Sequence, residues 1–281
     1  MRLSHNMSSL NIYTGYANAI NRRNESLGRI SSGVKIAGAK DSPVGLAKSE
    51  KMDIQIRGLQ MANRNMQDAA SMLQTAEGGL NEITSSLQRI RELTVQARNG
   101  TNNDNDKAVI QSEIDQMVKS VDELSAGTTF NGINLINGNK ASDNSIQLAI
   151  GANPFDTMEV PTFNFSSKTL GVNGKYVSDI NVITDAGADS AINVVDAALS
   201  DVITARSKYG ALENRFETGQ QQTDELSDRV TEAYSDVVDT DLATEMVEYS
   251  KDGIIADAST AMIAQTNKFP QDILRILQNV K

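Results

Sequence analysis

The sequence predicts a mostly α fold in which long antiparallel helices and a terminal coiled coil form a rod, with a small central β-hairpin region. Large apolar residues recur every seven positions through the stretch 42–100, and a second apolar series follows three positions behind. Alternating patterns typical of strands occur only within about 55 residues near 130–185. Aromatic residues make up 4% of the chain and Trp is absent, which suits helix seams better than a thick globular core. The main heptad series consists of Met52, Leu59, Met66, Leu73, Leu80 and Leu87.

The heptads predict one long helix over residues 42–100. Pro43 stands at a favourable first helical position after a capping Ser42, and no further proline interrupts the stretch. At about 1.5 Å per residue this helix would extend roughly 80–90 Å. Gly78 and Gly79 inside it predict a local bend or a close approach of another helix.

Shorter helices are predicted on both sides of this long one. Residues 1–34 form an amphipathic helix, and a turn at 99–104 leads into a helix that Gly127 closes. Helical spacing resumes after about residue 190 and continues to the end, with Pro270 kinking or restarting the last helix.

The β region between them has two kinds of signal. The dipeptides at 131–132 and 137–138 are Asn-Gly, which favours tight hairpin turns. The segments 145–150 and 158–165 alternate as strands do.

Charge is distributed unevenly over a chain whose net charge is −10. Residues 1–60 carry 9 Lys and Arg against 4 Asp and Glu, whereas residues 212–281 carry 6 against 14. Two interpretations are open: two separately solvated faces, or two ends that lie side by side and attract. The acidic total argues against nucleic acid as a partner. No secretory signal peptide and no membrane-spanning segment is predicted, so no membrane insertion is expected.

Candidate catalytic, cofactor or metal-binding residues are not found. The chain has one histidine, His5, and no cysteine, so neither a two-histidine zinc site nor a thiolate site can form within it. No glycine-rich phosphate loop occurs, and acidic pairs such as Asp239 and Asp241 have no nearby base. The sequence therefore predicts a protein that is not an enzyme and has no cofactor.

Three stretches resemble conserved segments of the bacterial flagellins. Residues 31–36 with 39–47 are similar to the amino-terminal flagellin segment, and 87–96 with 99–102 to the rod segment after it. Residues 239–246, 261–267 and 270–274 resemble the carboxy-terminal segment. The similar regions cover 1–140 and about 195–281, in the family's order, and a short insertion separates them.

The resemblance implies a structural subunit that polymerises into the flagellar filament for swimming motility. It implies five parts: inner coiled-coil segments at 1–40 and 238–281, rod helices at 41–130 and 186–237, and a small variable β region at 131–185. It further implies type III export of the unfolded chain to the extracellular filament, with an export chaperone, a cap protein and hook-junction proteins as partners. The alternatives are a hook–filament junction protein or another coiled-coil scaffold.

Two sets of site residues follow from the resemblance. The terminal heptads would meet within one chain or between chains to form the polymerisation coil: Leu3, Leu10, Ile20, Leu27, Ile255, Met262, Phe269 and Ile276. A rod face would serve axial filament contacts and recognition by the innate immune Toll-like receptor 5: Gln88, Arg89, Leu93, Gln96, Ile110 and Glu113. For Leu93 a plain core position is the alternative.

Overall fold

The computed structural model describes residues 6–137 and 145–279, without the side chains of residues 273, 274 and 276–279. This part of the chain is mostly helical and carries short antiparallel strands, as the sequence predicts. The helices are α1 (Met7–Ser32), α2 (Pro43–Ala97), α3 (Asp104–Gly127), α4 (Asp185–Val238) and α5 (Leu242–Asn279). The strands are β1 (Thr129–Phe130), β2 (Ile133–Asn134), β3 (Ser145–Ala149), β4 (Thr157–Pro161), β5 (Gly171–Val172) and β6 (Lys175–Tyr176).

Local signals fix the helix ends. Helix α1 ends two residues before the predicted limit because Gly33 takes the left-handed conformation (φ 72°) and its N–H bonds the Arg29 carbonyl. The Ser42 hydroxyl accepts a bond of 3.1 Å from the Gly45 N–H, which confirms the predicted cap of α2. Helix α3 begins with a reciprocal capping box between Asn103 and Asp106.

One predicted helix end is wrong, and one of the two predicted effects of Pro270 does not occur. Gly127 belongs to α3, whose C-cap is Thr128. Helix α5 is continuous through Pro270, so the predicted restart does not occur. Proline removes the N–H that would bond the carbonyl four residues earlier. That carbonyl, of Thr266, accepts a bond of 3.2 Å from the Asn6 side-chain amide instead.

The chain divides into two compact units, 1–54 with 229–281 (unit 1) and 55–228 (unit 2). In unit 1, α1 and α5 lie side by side and run in opposite directions. Arg22 bonds Asp252, and one heptad further along α1, Arg29 bonds Glu245, one heptad back along α5. The basic and acidic ends of the chain therefore attract each other directly, which confirms the second interpretation of the charge distribution.

The seam between α1 and α5 differs from the predicted one. Its buried positions hold small residues, Ala19 and Ser26 on α1 and Ala256 and Ser259 on α5. Leu10, Leu27, Met262 and Phe269 of the terminal heptads are at least half exposed rather than buried in this seam, so their predicted meeting, within one chain or between chains, stays a prediction. Small side chains let the two backbones approach closely, which leaves the larger residues on the outer faces.

Unit 2 is built on α2 and α4, which run in opposite directions in a constant register. Gln74 bonds Glu213 (2.8 Å), Arg91 bonds Asp196 (2.6 Å) and Arg98 bonds Asp189 (2.8 Å). Four of the six predicted heptad residues of α2, from Met66 to Leu87, belong to one core with residues of α3, α4 and the β region. Of the other two, Leu59 is buried outside that core and Met52 is only partly buried. The residues of that core on α2 include Met66, Leu73, Leu80, Ile83, Leu87 and Ile90.

Three two-stranded ribbons occur in the described part of the β region. Asn131 and Gly132 both have positive φ between β1 and β2, which confirms the predicted hairpin there. Asn137–Gly138 falls partly outside the described residues. β3 pairs with β4, but β4 ends at Pro161 rather than at residue 165, because proline cannot donate to a ladder. The β5–β6 hairpin, which turns through Asn173 and Gly174, was not predicted.

Gly79 confirms one of the two alternatives proposed for the glycine pair. A Cβ at this position would lie 2.4 Å from the Thr128 Oγ1 atom, so the C-cap of α3 approaches the α2 backbone closely. A Cβ at the neighbouring Gly78 would meet nothing within 4 Å. Only one of the two glycines is therefore required by packing.

Candidate assembly surfaces

The described residues contain no group of three or more His, Cys, Asp and Glu side chains placed to hold a metal ion. None of the helices in this part of the chain combines the length and apolar character needed to cross a bilayer. The notable features are instead exposed apolar side chains on long helices. Isolated exposed apolar residues are ordinary, whereas a continuous apolar face marks a surface for another protein.

Unit 1 carries such a face, which we name the terminal surface. It consists of large apolar side chains of α1 and α5 that point away from the seam between them. Leu10 is 53% exposed, Leu27 50%, Met262 50% and Phe269 66%. Ile20 and Ile255 are less exposed, Leu3 lies outside the described residues, and the side chain of Ile276 is not described. These positions are those expected of residues that pack on a neighbouring copy.

The terminal surface extends beyond the predicted residues. Met246, Val247 and Ile254 are exposed on α5 and line a shallow groove with Ile255 and the aliphatic part of Lys251. Sequence reasoning missed them because it followed a single heptad series. Val247 and Ile254 are themselves seven residues apart, so a second series adjacent to the first was the available signal.

Charged side chains hold α1 and α5 together beneath this surface. The guanidinium of Arg22 donates to Asp252 Oδ1 through Nη2 (2.7 Å) and Nε (3.1 Å). The hydrogen bond from Arg22 lowers the pKa of Asp252, whose side chain is buried, and raises the pKa of Arg22. Arg23 stacks 4.7 Å from the Tyr249 ring centroid and bonds its hydroxyl. These contacts fix the register of the two helices.

Helix α5, which carries Asp252 and Glu245, has a capping residue at its N-terminus. The Asp241 carboxylate accepts bonds from the Thr244 hydroxyl and from the N–H groups of Ala243 and Thr244. The hydroxyl bond, followed by the two backbone bonds, lowers the pKa of Asp241. Asp241 is thus a capping residue at the start of α5, as befits an acidic group at a helix N-terminus.

The predicted rod face lies on α2 and α3 in unit 2. Arg89 on α2 donates to Glu113 on α3 through Nη2 (2.6 Å) and Nε (3.1 Å), and to Glu92 through Nη1 (3.2 Å). The bonds to Glu113 and then Glu92 raise the pKa of Arg89. Gln88 and Gln96 are exposed along the same helix. The four predicted polar residues form the accessible part of this face, and we name them the rod face: Gln88, Arg89, Gln96 and Glu113.

Leu93 and Ile110 do not belong to the accessible rod face. Leu93 is 1% exposed and Ile110 is also buried, and both belong to the core of unit 2. The prediction of direct contact through these two residues is therefore wrong for the chain in this conformation. Leu93 is the plain core residue of the alternative interpretation.

Comparison with known proteins identifies relatives of both halves of the chain. The family described as bacterial flagellin N-terminal helical region matches residues 3–141, and the flagellin C-terminal helical region matches residues 192–277. The flagellin of Halalkalibacterium halodurans is 36% identical over 278 residues, covering 99% of this chain and all of the relative. The flagellin of Bacillus subtilis is 36% identical over 304 residues with the same coverage of both chains.

A filament protein of another bacterial group and a solved structure are also similar. The flagellar filament 30.7 kDa core protein of Treponema maltophilum is 37% identical over 289 residues, covering 99% of this chain and all of the relative. A solved protein of Vibrio parahaemolyticus assigned as flagellar hook-associated matches with a TM-score of 0.60 at 16% identity. It covers 71% of this chain and all of its own, and at that identity it supports the fold alone.

Proposed function

This chain belongs to the bacterial flagellin family and is a structural subunit of a flagellar filament, and we propose that its terminal surface drives polymerisation. The observation that carries this proposal is the exposure of the large apolar residues of α1 and α5. Leu10, Leu27, Met262 and Phe269 are half or more exposed in the described part of the chain, and neighbouring copies would cover them in a filament. Leu3, Ile20, Ile255 and Ile276 continue the same heptad series in the sequence.

Burial of these side chains would contribute to the free energy of assembly. Complete burial of one exposed side chain of this kind is worth roughly 1.5–3 kcal/mol, and a side chain that is already half buried gains about half of that. Association costs about 4–15 kcal/mol in lost freedom, to which the ordering of side chains adds. No single residue offsets that cost, so assembly is expected to draw on both terminal helices together.

The decisive experiment is negative-stain microscopy of the purified chain under salting-out conditions or with filament seeds. The full chain is expected to form long tubes, and a chain lacking residues 1–35 or 245–281 none. Leu27→Glu tests the same surface with one substitution, and Glu25→Gln on the exposed side of α1 is its control. Failure of the intact chain to form tubes under all conditions would favour the hook–filament junction protein or another coiled-coil scaffold.

We infer further that an export chaperone binds the terminal surface before assembly. Exposed apolar helices in a monomer favour aggregation, and a bound partner prevents it. The chain would leave the cell unfolded through the type III apparatus and join an extracellular filament between hook-junction proteins and a cap protein. Co-purification of the chain with its chaperone, lost in Met262→Glu and kept in Gln88→Ala, tests the first of these contacts.

A second function is proposed for the rod face, that of a ligand for host Toll-like receptor 5. The Arg89–Glu113 pair is accessible on two adjacent helices, and Gln88 and Gln96 extend the polar surface along α2. Arginine with flanking polar groups is a frequent centre of protein–protein contacts. Leu93 and Ile110 would support this face from the core rather than touch the receptor.

Receptor reporter cells separate this function from assembly. Arg89→Ala in monomeric protein is expected to lower the signal at least about tenfold, because truncating a central arginine costs 2 kcal/mol or more at typical contact centres. Arg91→Ala, which removes an ion pair to α4 on the same helix, is the matched control. Equal signals from both variants would exclude the rod face as the receptor site.

A further inference from the structure

Three methionines in the described part of unit 1 are exposed. Met7 on α1 is 62% exposed, and on α5 Met246 is 55% and Met262 is 50% exposed. Methionine is usually buried in a folded chain, as Met66 and Met158 are in unit 2. The three exposed methionines belong to the terminal surface, because they are large apolar side chains of α1 and α5 outside the seam between these helices.

The methionines of α5 have apolar neighbours. Met246 lines the shallow groove of the terminal surface together with Val247, Ile254 and Ile255. Met262 lies one heptad after Ile255 on the same helix. A subunit that covered this part of α5 would therefore enclose both thioether groups among apolar side chains.

The two polar residues of the groove already have partners within α5. The Ser250 hydroxyl donates to the Met246 carbonyl (2.8 Å), and the Lys251 ammonium donates to the Glu248 carboxylate. A new hydrogen-bond acceptor in the groove would have to compete with these bonds for a donor once a neighbouring subunit excludes water. The groove thus suits a thioether and opposes a more polar group.

Oxidation of a methionine creates such a polar group. The thioether sulfur attacks one oxygen of hydrogen peroxide, so that a sulfur–oxygen bond forms as the oxygen–oxygen bond breaks, and the second oxygen leaves as water. The sulfur loses two electrons, which the peroxide gains, and the protein supplies no other group. The resulting sulfoxide is polar, so it is tolerated in contact with water and disfavoured in an apolar interface.

We propose that Met7, Met246 and Met262 are a site of reversible oxidation by peroxides, and that their sulfoxides block addition of the chain to a filament. Exposure makes these residues accessible to peroxide in the free chain. Their oxidation leaves the core of unit 2 intact, because none of them belongs to it. The inference rests on the proposed polymerisation and adds a chemical condition to it, namely that the terminal surface is reduced.

Partial oxidation of the unmodified chain tests the site with an internal control. Monomers are treated with hydrogen peroxide until conversion is partial, the peroxide is removed, and filament seeds are added. Filaments and soluble chains are separated by sedimentation, and peptide mass spectrometry measures the sulfoxide at each methionine. Sulfoxide at Met7, Met246 and Met262 is expected to be enriched at least about tenfold in the soluble fraction. Met61, which is 53% exposed on α2 in unit 2, is the matched control, and its sulfoxide is expected to be divided equally.

Variants and enzymatic reduction test the same site in a second way. Leucine has nearly the volume of methionine but no sulfur. A chain with Met7→Leu, Met246→Leu and Met262→Leu is therefore expected to keep its critical concentration for assembly after full oxidation. The Met61→Leu chain should lose assembly on oxidation as the unmodified chain does. Methionine sulfoxide reductases should restore assembly of the oxidised unmodified chain.

The outcomes separate this inference from the proposed function. Equal division of all four sulfoxides between filaments and soluble chains overturns the inference and leaves polymerisation standing. The same holds if oxidation inhibits the triple variant as strongly as the unmodified chain. Absence of filaments from the untreated chain overturns polymerisation itself.

Discussion

Leucines at heptad positions have opposite environments in the two units. In unit 2, Leu80 and Leu87 are 0% exposed, whereas in unit 1 Leu10 and Leu27 remain about half exposed. Unit 2 packs three helices and the β ribbons around one core, while α1 and α5 meet through alanine, serine and ion pairs. A heptad series thus predicts that a helix has a partner. The large heptad residues of α2 are covered within the same chain, whereas those of α1 and α5 stay exposed although the two helices pair with each other, and we propose that another subunit covers them.

The strongest test applies the same substitution to both units. Leu87→Ala is expected to lower the free energy of unfolding by about 2–5 kcal/mol, because it leaves a cavity in a closed core. Leu27→Ala should change it by less than about 0.5 kcal/mol in the monomer, yet raise the critical concentration for assembly at least about tenfold. Urea unfolding and sedimentation of filaments provide the two readouts. Similar losses of monomer stability would refute the contrast.

Glycine substitutions sharpen the comparison at the backbone. Gly79→Ala should destabilise unit 2 by about 1–3 kcal/mol, because its Cβ would collide with Thr128. Gly78→Ala on the same turn should stabilise by about 0.5–1 kcal/mol, and Gly28→Ala should do so for α1, since neither Cβ meets an atom within 4 Å. Thermal unfolding monitored by circular dichroism measures all three. The contrast fails if Gly79→Ala proves as stable as Gly78→Ala.

Substitutions at helix caps should change the stability of the two units by smaller amounts. Asn103→Ala removes the capping box of α3 and should cost about 1 kcal/mol of global stability in urea. Asn6→Ala removes the single capping bond of α1 together with the bond to the Thr266 carbonyl of α5, and should leave the main urea transition unchanged while α1 frays. Asn105→Ala, at the second residue of α3, serves as control because no capping bond of its side chain is part of the box. A shift of the main transition in Asn6→Ala would show that unit 1 and unit 2 unfold together.

Lowering the pH should weaken the contact between α1 and α5, because it protonates Asp252 and so removes the charge that pairs with Arg22. Its folded pKa lies below the ordinary value of about 3.9, so its contribution is present above that pH and is lost as the pH falls through the folded pKa. A carbon-13 NMR titration of the carboxyl group measures this pKa. Arg22→Gln should raise it toward the ordinary value, whereas Arg23→Gln, which faces Tyr249, should leave it nearly unchanged. An unchanged pKa in Arg22→Gln would disprove the assigned cause.

The sequence patterns predicted α2 well because its buried positions hold large aliphatic residues, which periodicity detects directly. The seam between α1 and α5 escaped because Ala19, Ser26 and Ala256 are too small and Asp252 too polar to mark a buried face. At Leu93 the error was the opposite one: a buried residue was predicted to be accessible. A leucine on the outer side of a helix and a leucine in the core look alike in sequence. The hairpin at Asn173–Gly174 repeats the turn chemistry of Asn131–Gly132 and was available from the sequence.

The pairing of α1 with α5 has a consequence for the order of folding. The bond from Asn6 to Thr266 joins residues 260 positions apart, and that from Arg29 to Glu245 joins residues 216 apart. The entropic cost of closing such a loop falls once unit 2 has folded, because its antiparallel α2 and α4 shorten the free chain between the two ends. Unit 1 therefore forms late, and its rate of formation should follow that of unit 2.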